Sequence, residues 1–306
     1  MRTEITRPLD RPSLFTGVGV DVTGNGTITV TQPVGPRFYD HRGRTTIGSM
    51  GVLTDIAVGY PAGLARQLAT GIHTQGVLAQ LSASTADTFP QTGSVSGTAR
   101  SLHFDDAVGL SAAEIRDDDG RLVLHLTGRS MVVGRVPVDA ATAQPAEQRS
   151  VPEPEAWADS DLLASRSGLD IVAGIADGSI PRGPLAGVLG MRVDAAARGT
   201  IEGALAPAEW TANPIGSIQG GVLVSIVDVA SSLAAQTLTA PGQEYRTLQL
   251  TVDYLRSPAV PGPDVLVRSK VTRAGRRLAS VDTALTAADG TVFVRASTSV
   301  QLMAAA

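Results

Sequence analysis

The chain has 306 residues, of which 43% are hydrophobic and 18% are charged, and its formal net charge at pH 7 is −4. This length predicts about two domains, and the low charged fraction argues against a disordered chain. The absence of cysteine excludes disulfides, a thiol nucleophile and thiolate metal ligands. The slight acidity gives no reason to expect a nucleic acid or an anionic membrane as partner. No signal peptide or membrane span is visible, so we expect a cytoplasmic protein.

The sequence contains an internal repeat with an offset of 173 residues. Without a gap, residues 40–55 align with residues 213–228, and the aspartates that end the two segments, Asp55 and Asp228, coincide. The same offset pairs Gly17 with Gly190, Val20 with Val193, Gly43 with Gly216, Gly48 with Gly221 and Thr74 with Thr247. A repeat of this length predicts two copies of one domain.

The predicted elements follow the same order in both copies. Each copy begins with two short alternating segments bounded by glycine, which predict a strand pair at 17–22 and 27–31 and again at 189–193 and 200–205. A glycine-rich turn then opens into an apolar helix, at 48–69 (with a kink expected at Pro61) and at 221–239. The second helix is apolar on nearly every face and is expected to be buried. The remainder alternates like strands: 247–255, 265–272, 278–287 and 291–302 in the second copy.

The proline-rich segment 137–158 predicts a linker between an N-terminal domain at 1–136 and a C-terminal domain at 159–306. After the linker, spacings of three and four residues predict a helix that Ser160 caps and that Gly178 and Pro181 end. No counterpart of this helix is expected before the first copy.

Hairpin signals occur at 119–120 and 289–290. These elements predict an α+β fold in which each domain wraps an antiparallel sheet around a long central helix.

The second copy resembles a known family. Its residues 213–228, N-P-I-G-S-I-Q-G-G-V-L-V-S-I-V-D, resemble the N-x-x-G-x-x-H-G-G-x6-D signature of phenylacetate-pathway-type hotdog thioesterases. Leu189-Gly190 before this signature, and Thr247, Tyr254 and the Gly-Arg-Arg at 275–277 after it, also fit that family. The first copy fits through the repeat. The whole chain therefore resembles a tandem hotdog protein, an intramolecular version of the usual homodimer.

The resemblance implies active sites at the interface between the two hotdog units, and in a fused pair the two sites differ. Site one combines the turn of the second copy with the helix carboxylate of the first: Asn213, Gln219 and Gly220 with Asp55 and Thr74. Site two combines Asp40, Thr46 and Ile47 with Asp228 and Thr247.

The expected chemistry favours site one. The Gly220 N–H at a helix N-terminus can stabilise the oxyanion of thioester hydrolysis. Asp55 would act as a general base on water or, as the alternative, as a nucleophile. Asn213 would hold that water or orient the turn, and Thr74 would position the water. Gln219 replaces the usual histidine; it can donate a hydrogen bond to the thioester oxygen but cannot transfer protons near neutral pH.

Site two is expected to be weak or inactive. Ile47 replaces the glycine, and the carboxylate of Asp40 would repel a developing oxyanion. Asp228 is therefore the catalytic candidate of the weaker site. Both helix aspartates could instead be residues that interact favourably with the helix dipole. Likewise, the two strand threonines could be ordinary sheet residues.

A coenzyme A tail is the remaining binding expectation. Gly221, Arg276 and Arg277 are the candidates for contacting it, although the two arginines could equally be a solvated hairpin. Coenzyme A would be part of the substrate, so no separate cofactor is expected, and the four histidines show no metal-ligand spacing.

These observations predict an acyl-CoA or acyl-carrier thioesterase, expected to associate into a dimer of the fused chain. Two alternatives remain open: a non-catalytic hotdog that binds an acyl thioester, and a hotdog enoyl-CoA hydratase or dehydratase. The latter needs a histidine paired with a carboxylate, and no histidine occupies the key turn.

Overall fold

A computed structural model describes residues 9–24, 26–72, 74–135 and 155–303. In the first copy the elements are α1 (Arg11–Thr16), β1 (Gly19–Gly24), β2 (Thr27–Val34), α2 (Gly51–Thr70), β3 (Thr74–Thr85), β4 (Gly93–Phe104), β5 (Val108–Asp117) and β6 (Leu122–Arg135). In the second copy they are α3 (Ser160–Ser165), α4 (Gly168–Asp177), α5 (Pro184–Val188), β7 (Met191–Ala197), β8 (Thr200–Leu205), α6 (Gly220–Gln236), β9 (Tyr245–Tyr254), β10 (Val265–Ala274), β11 (Leu278–Thr286) and β12 (Val292–Leu302).

The described strands form one antiparallel sheet of twelve strands with a symmetric order. The order is β1-β2-β4-β5-β6-β3-β9-β12-β11-β10-β8-β7, so the second half repeats the first half in reverse. The two copies meet at the β3–β9 ladder, which is centred on the pair Ser82–Thr251. On this seam the Gln80 side chain donates to Asp253 at 2.8 Å. The predicted double hotdog architecture is confirmed.

Each long helix lies against five strands of its own copy, and the two helices cross at a glycine of each helix. α2 packs on β2 to β6 and α6 on β8 to β12. A Cβ on Gly51 would overlap the carbonyl oxygen of Gly221, and a Cβ on Gly221 would overlap that of Gly51. Only glycine permits this approach. Residues 221–236 of α6 are buried throughout, as the apolar pattern predicts.

The chain before the second strand pair corrects one prediction. The helix expected from Ser160 is two helices: Asp159 caps α3, and Ser167 caps α4, which ends at Gly178 with φ 80°. A short helix, α1, precedes the first copy and is capped by Asp10. At the 173-residue offset α1 corresponds to α5 and not to α3 or α4, so it is not a counterpart of the helix expected after the linker.

The other predicted boundaries differ from the structure by a few residues, and both predicted hairpins are present, with Gly120 and Gly290 at positive φ. Pro61 lies inside α2. Most of the predicted linker, residues 137–154, lies outside the described residues, and the division into domains stays a prediction. Its last residues, 155–158, contact both copies: Glu155 forms an ion pair with Arg182 at 2.6 Å, and Ala158 N donates to His41 O at 2.8 Å. None of the described helices is long and apolar enough to cross a membrane.

Candidate active sites at the domain interface

Each helix carboxylate lies beside the glycine turn of the other copy. Asp55 of α2 is so close to Gly220 that a Cβ added to this glycine would overlap its Oδ1. Asp228 of α6 accepts a hydrogen bond from Gly48 N at 2.8 Å. The structure thus brings Asp55 together with Gly220 in site one, and Asp228 with Gly48 in site two.

The loops that lead into the two sites are the same turn. In site one, Asn213 Oδ1 accepts from Ile215 N at 3.1 Å and Ser217 N at 3.0 Å. In site two, Asp40 Oδ1 accepts from Arg42 N at 2.8 Å and Arg44 N at 3.0 Å. Because the side chain of Asn213 is engaged within its own turn, its place in site one is to orient the turn, one of the two roles expected of it.

The reactive groups of site one are unpaired. Among the described residues, no donor lies on the Asp55 carboxylate and no acceptor lies on Gly220 N. Asp55 is only half-buried. Burial, reinforced by the negative charge of Asp10, raises the pKa of Asp55 to about 7. A half-exposed carboxylate that titrates near neutral pH, next to a free amide at a helix start, is an arrangement that can activate water and stabilise an oxyanion.

Gln219, which was expected to donate to a thioester oxygen, donates to a carboxylate in the structure. Its Nε2 donates to Asp10 Oδ2 at 2.8 Å, so its donor end is directed at a protein carboxylate instead of at a thioester oxygen. Its Oε1 is buried and has no donor among the described residues. Burial is also the main cause that raises the pKa of Asp10, against hydrogen bonds from Ser13 and Gln219.

Tyr254 of β9 completes the wall of site one. Its hydroxyl donates to Gly220 O at 3.1 Å, and its ring lies within van der Waals distance of the same glycine. Burial, together with the charge of Asp55, raises the pKa of Tyr254 well above its usual value. Tyr254 therefore acts as a neutral donor that holds the first turn of α6 in place.

Thr74 does not occupy the position in site one that Thr247 has in site two. The ungapped repeat makes Gly59 equivalent to Ser232, and the Thr247 hydroxyl lies 3.4 Å from that of Ser232. At Gly59 the neighbouring strand residue is Leu78, whose Cγ would lie 3.5 Å from an added Cβ.

The cause is a difference in helix length. α2 continues from Asp55 to Thr70, whereas α6 ends sooner after Asp228, at Gln236, so Leu78 follows Asp55 by 23 residues and Thr247 follows Asp228 by 19. Thr74 consequently starts β3, paired with Arg135. Leu78 therefore lies in site one where Thr247 lies in site two, and the role expected of Thr74 stays a prediction.

Site two is internally paired and closed. Besides Gly48 N, Asp228 accepts a hydrogen bond from the Thr247 hydroxyl at 2.9 Å, and its exposure is 1%. Burial raises the pKa of Asp228, although these hydrogen bonds oppose the shift. The cavity beside it measures about 10 Å³, hardly enough for one water molecule. Fully buried Ile47 and the α5 residue Leu185 fill the space around Gly48.

Asp40, which was expected to repel a developing oxyanion in site two, is paired with a cation. Arg42 forms an ion pair with it at 2.7 Å, and the guanidinium lies 3.7 Å from the centre of the Tyr245 ring. Burial alone would raise the pKa of Asp40, but the charges of Arg42 and His41 and the hydrogen bonds lower it. The charge of Asp40 nevertheless contributes to the raised pKa of Asp228, so site two is closed by packing and internal pairing and also keeps a second negative charge nearby.

The predicted coenzyme A contacts are dispersed. Gly221 lies buried at the helix crossing, where no ligand has room, whereas Arg276 and Arg277 are exposed in the β10–β11 turn. A cavity of about 510 Å³ opens between α3, the end of α6 and the start of β9, and it is lined by neither Asp55 nor Asp228. Its size alone assigns no chemistry to it, because it lacks the pair of carboxylate and helix-start amide.

Sequence reasoning missed Asp10, Leu78 and Tyr254 as site residues. Asp10 carried a signal, since an aspartate followed by Pro12 at the first turn of a helix is a typical helix start. Tyr254 was part of the family resemblance. Leu78 had no local signal, because its position depends on the length of α2.

Comparison with solved structures identifies the architecture as the hotdog fold. A hotdog-fold protein of unknown function from Alicyclobacillus acidocaldarius has a TM-score of 0.57 and 12% identity, covering 94% of this chain and 96% of its own. A protein proposed to be a thioesterase II from Thermobifida fusca has a TM-score of 0.56 and 15% identity, covering 98% and 100%. The tesB protein of Mycobacterium avium subsp. paratuberculosis has a TM-score of 0.54 and 10% identity, covering 93% and 96%.

The second copy contains the sequence signature of a protein family. Residues 215–294 match the Thioesterase superfamily, and this segment holds the Gly220 turn, α6 and the strands that follow. No curated protein matches the chain. The hotdog fold of the whole chain and the superfamily segment in its second copy together support a thioester hydrolase.

Proposed function

We propose that the protein is an acyl-CoA thioesterase whose reaction takes place in site one. The observation that supports this proposal is that the helix carboxylate and the glycine amide are hydrogen-bonded to each other in one interface site and not in the other. In site one, the Asp55 carboxylate and the Gly220 amide lie side by side without partners among the described residues. In site two, Asp228 and the Gly48 amide are bonded to each other.

The proposed reaction uses these two groups to add water to the thioester and then to expel the thiol. The thioester carbonyl oxygen accepts a hydrogen bond from Gly220 N–H, which is worth on the order of 3 kcal/mol in the transition state. Asp55 takes one proton from a water molecule, and the remaining hydroxide bonds to the carbonyl carbon. When the tetrahedral intermediate collapses, the C–S bond breaks and the thiolate takes the proton back from Asp55. The products are the carboxylic acid and the thiol.

The electrostatics of site one support this role for Asp55. A general base is most effective when its pKa lies near the working pH, and the pKa of Asp55 is raised to about 7. Of the side chains next to Asp55 and Gly220, Gln219 donates to Asp10 through Nε2. Its Oε1 has no donor among the described residues. A glycine at residue 220 leaves the backbone open to a thioester.

The experiment is thiol release from a panel of acyl-CoA substrates by the full chain, by Asp55→Ala and by Asp228→Ala. We expect Asp55→Ala to reduce kcat/KM by about 10²- to 10⁴-fold. Asp228→Ala should retain turnover wherever it remains folded by circular dichroism. The reverse pattern would move the reaction to site two, and failure of the wild-type chain to cleave any thioester would favour a binding protein.

The identity of the acyl carrier is tested separately. If Arg276 and Arg277 contact the phosphates of coenzyme A, replacing both by alanine should raise KM for acyl-CoA and leave KM for the matching acyl-N-acetylcysteamine unchanged. Equal effects on both substrates would exclude that contact.

A further inference from the structure

Asp10 is a carboxylate of site one that belongs to neither hotdog sequence motif. Its Oδ1 accepts a hydrogen bond from Ser13 N at 2.8 Å, which starts α1, and its Oδ2 accepts one from Gln219 Nε2 at 2.8 Å. At the repeat offset the second copy has Gly183, so site two has no equivalent carboxylate. The α1 helix therefore contributes to one site only.

The position of α1, and with it of Asp10, is fixed by both copies. Phe15 of α1 stacks on Trp210, with 4.1 Å between the ring centres. The Arg37 guanidinium covers the Phe15 ring at 4.2 Å. An ion pair at 3.1 Å joins Arg11 to Glu209. Because Trp210 and Arg37 come from different copies, Asp10 is held relative to the whole interface.

Asp10 determines which end of the Gln219 amide is available. A primary amide has a donor end and an acceptor end, and Asp10 engages the donor end. The acceptor end, Oε1, is left without a donor although Gln219 is only 3% exposed. The Asp55 carboxylate, which lies beside Gly220, the residue that follows Gln219, also lacks a donor among the described residues. Gln219 Oε1 and the Asp55 carboxylate are thus two hydrogen-bond acceptors at one turn, and a water molecule can donate one O–H to each.

We propose that Asp10 is a positioning residue of site one, which fixes the Gln219 amide so that Oε1 accepts one hydrogen bond from the attacking water while Asp55 accepts the other. This inference rests on the proposed thioesterase function. One water proton moves to Asp55 and later leaves with the thiolate, whereas Asp10 neither gains nor loses a proton in the reaction. Gln219 thus becomes a water acceptor, in contrast to the oxyanion donor expected from the sequence.

Asp10 also affects the titration of the base. The titratable groups that face Asp55 are Asp10 from α1 and Tyr254 from β9, whereas α6 presents only the neutral Gln219 and Gly220. The negative charge of Asp10 adds to burial in raising the pKa of Asp55. Removing that charge should therefore move the acid limb of the kcat/KM profile to lower pH.

The test compares four variants of the full chain: Asp10→Ala, Gln219→Ala, the double variant, and Asp159→Ala. Asp159 is the matched control because it caps another six-residue helix, α3, away from site one. We expect Asp10→Ala to lower kcat by about 10- to 100-fold with little change in KM, and to shift the acid limb downward. The double variant should be no slower than Gln219→Ala, and Asp159→Ala should change only Tm.

Separate outcomes judge the two proposals. If Asp55→Ala is inactive but Asp10→Ala keeps the wild-type kcat and pH profile, the role of Asp10 is overturned and the proposed function stands. If the effects of Asp10→Ala and Gln219→Ala multiply, Asp10 does not act through Gln219. A crystal structure of the full chain is independent of turnover: a water that bridges Gln219 Oε1 and Asp55, and is displaced in Asp10→Ala, supports the assignment, and its absence contradicts it.

Discussion

Sites one and two are built from equivalent turns and equivalent helix carboxylates, but the carboxylates differ in what they bind. Asp228 is saturated by Gly48 N and the Thr247 hydroxyl. Asp55 has the free Gly220 amide beside it and Leu78 in the place of the threonine. A buried carboxylate that is paired stabilises the interface, whereas an unpaired one keeps its capacity to take a proton.

The comparison shows how a duplicated interface can separate structure from chemistry. The changes that close site two are local: Ile47 stands where site one has Gly220, and α5 inserts Leu185 against Gly48. The change that leaves Asp55 unpaired is not local, since the greater length of α2 beyond Asp55 shifts β3 and brings Leu78 to the place of the hydroxyl. The same fold thus holds one carboxylate as a structural acceptor and the other as a candidate base.

The largest effect is expected from adding a methyl group to each glycine turn. In Gly220→Ala the Cβ overlaps Asp55 Oδ1, so the carboxylate must move and the amide is covered. We expect kcat/KM to fall by about 10²- to 10³-fold, measured by thiol release, with the fold retained.

The matched change in site two should affect stability instead of rate. In Gly48→Ala the Cβ lies 3.0 Å from Asp228 Oδ2 and 3.2 Å from Leu185. Such overpacking should cost about 1–3 kcal/mol in the free energy of unfolding, with kcat/KM unchanged. Loss of activity in Gly48→Ala alongside an active Gly220→Ala would exchange the assignments of the two sites.

The pH dependence should report the unpaired state of Asp55. Because its carboxylate form is the base and its pKa is about 7, kcat/KM should fall about tenfold per pH unit below that value. The pKa of Asp55 in the folded state, about 7, lies above the usual aspartate value of 3.8, so this group contributes stability that is present below about pH 4 and lost as the pH rises through 7.

It follows that Asp55→Asn should raise Tm relative to the wild type at about pH 8 and leave it nearly unchanged at about pH 4. Thermal unfolding at both pH values checks this. An equal Tm difference at the two values would mean that the Asp55 carboxylate is not the group that titrates.

The smallest effect is expected from exchanging the strand residue. Leu78→Thr supplies site one with a hydroxyl at the position of Thr247, and a hydrogen bond to Asp55 should lower its pKa by up to about one unit. The acid limb of kcat/KM would move to lower pH. Thr247→Leu is the converse control and should destabilise the fold by about 1–3 kcal/mol, since Asp228 loses a buried donor. An unchanged acid limb in Leu78→Thr would contradict the equivalence of the two positions.

Much of the interface could be predicted from the repeat. The 173-residue offset brought Asp55 to the turn of the other copy and aligned the loops of Asn213 and Asp40, which make the same hydrogen bonds. Those features depend on local chemistry: glycine at positive φ, a side-chain acceptor for two turn amides, and an apolar helix. A pattern of residue types records such chemistry directly.

A pattern of residue types does not record a side chain's neighbour where distant parts of the chain set it. Thr74 was aligned with Thr247, but the extra length of α2 shifted β3 and brought Leu78 to the site. Gln219 was given an oxyanion role because its contact with Asp10, far away in the sequence, was not visible.

The sequence by itself determined the duplication, the α+β hotdog architecture and the identity of the two interface carboxylates, because hydrophobic period, turn glycines and motif spacing are properties of neighbouring residues. The tertiary structure alone decided which carboxylate is paired. Pairing depends on the helix crossing at Gly51 and Gly221, on the register of β3, and on the placement of α1 over the interface, and each of these follows from packing between segments that are remote along the chain.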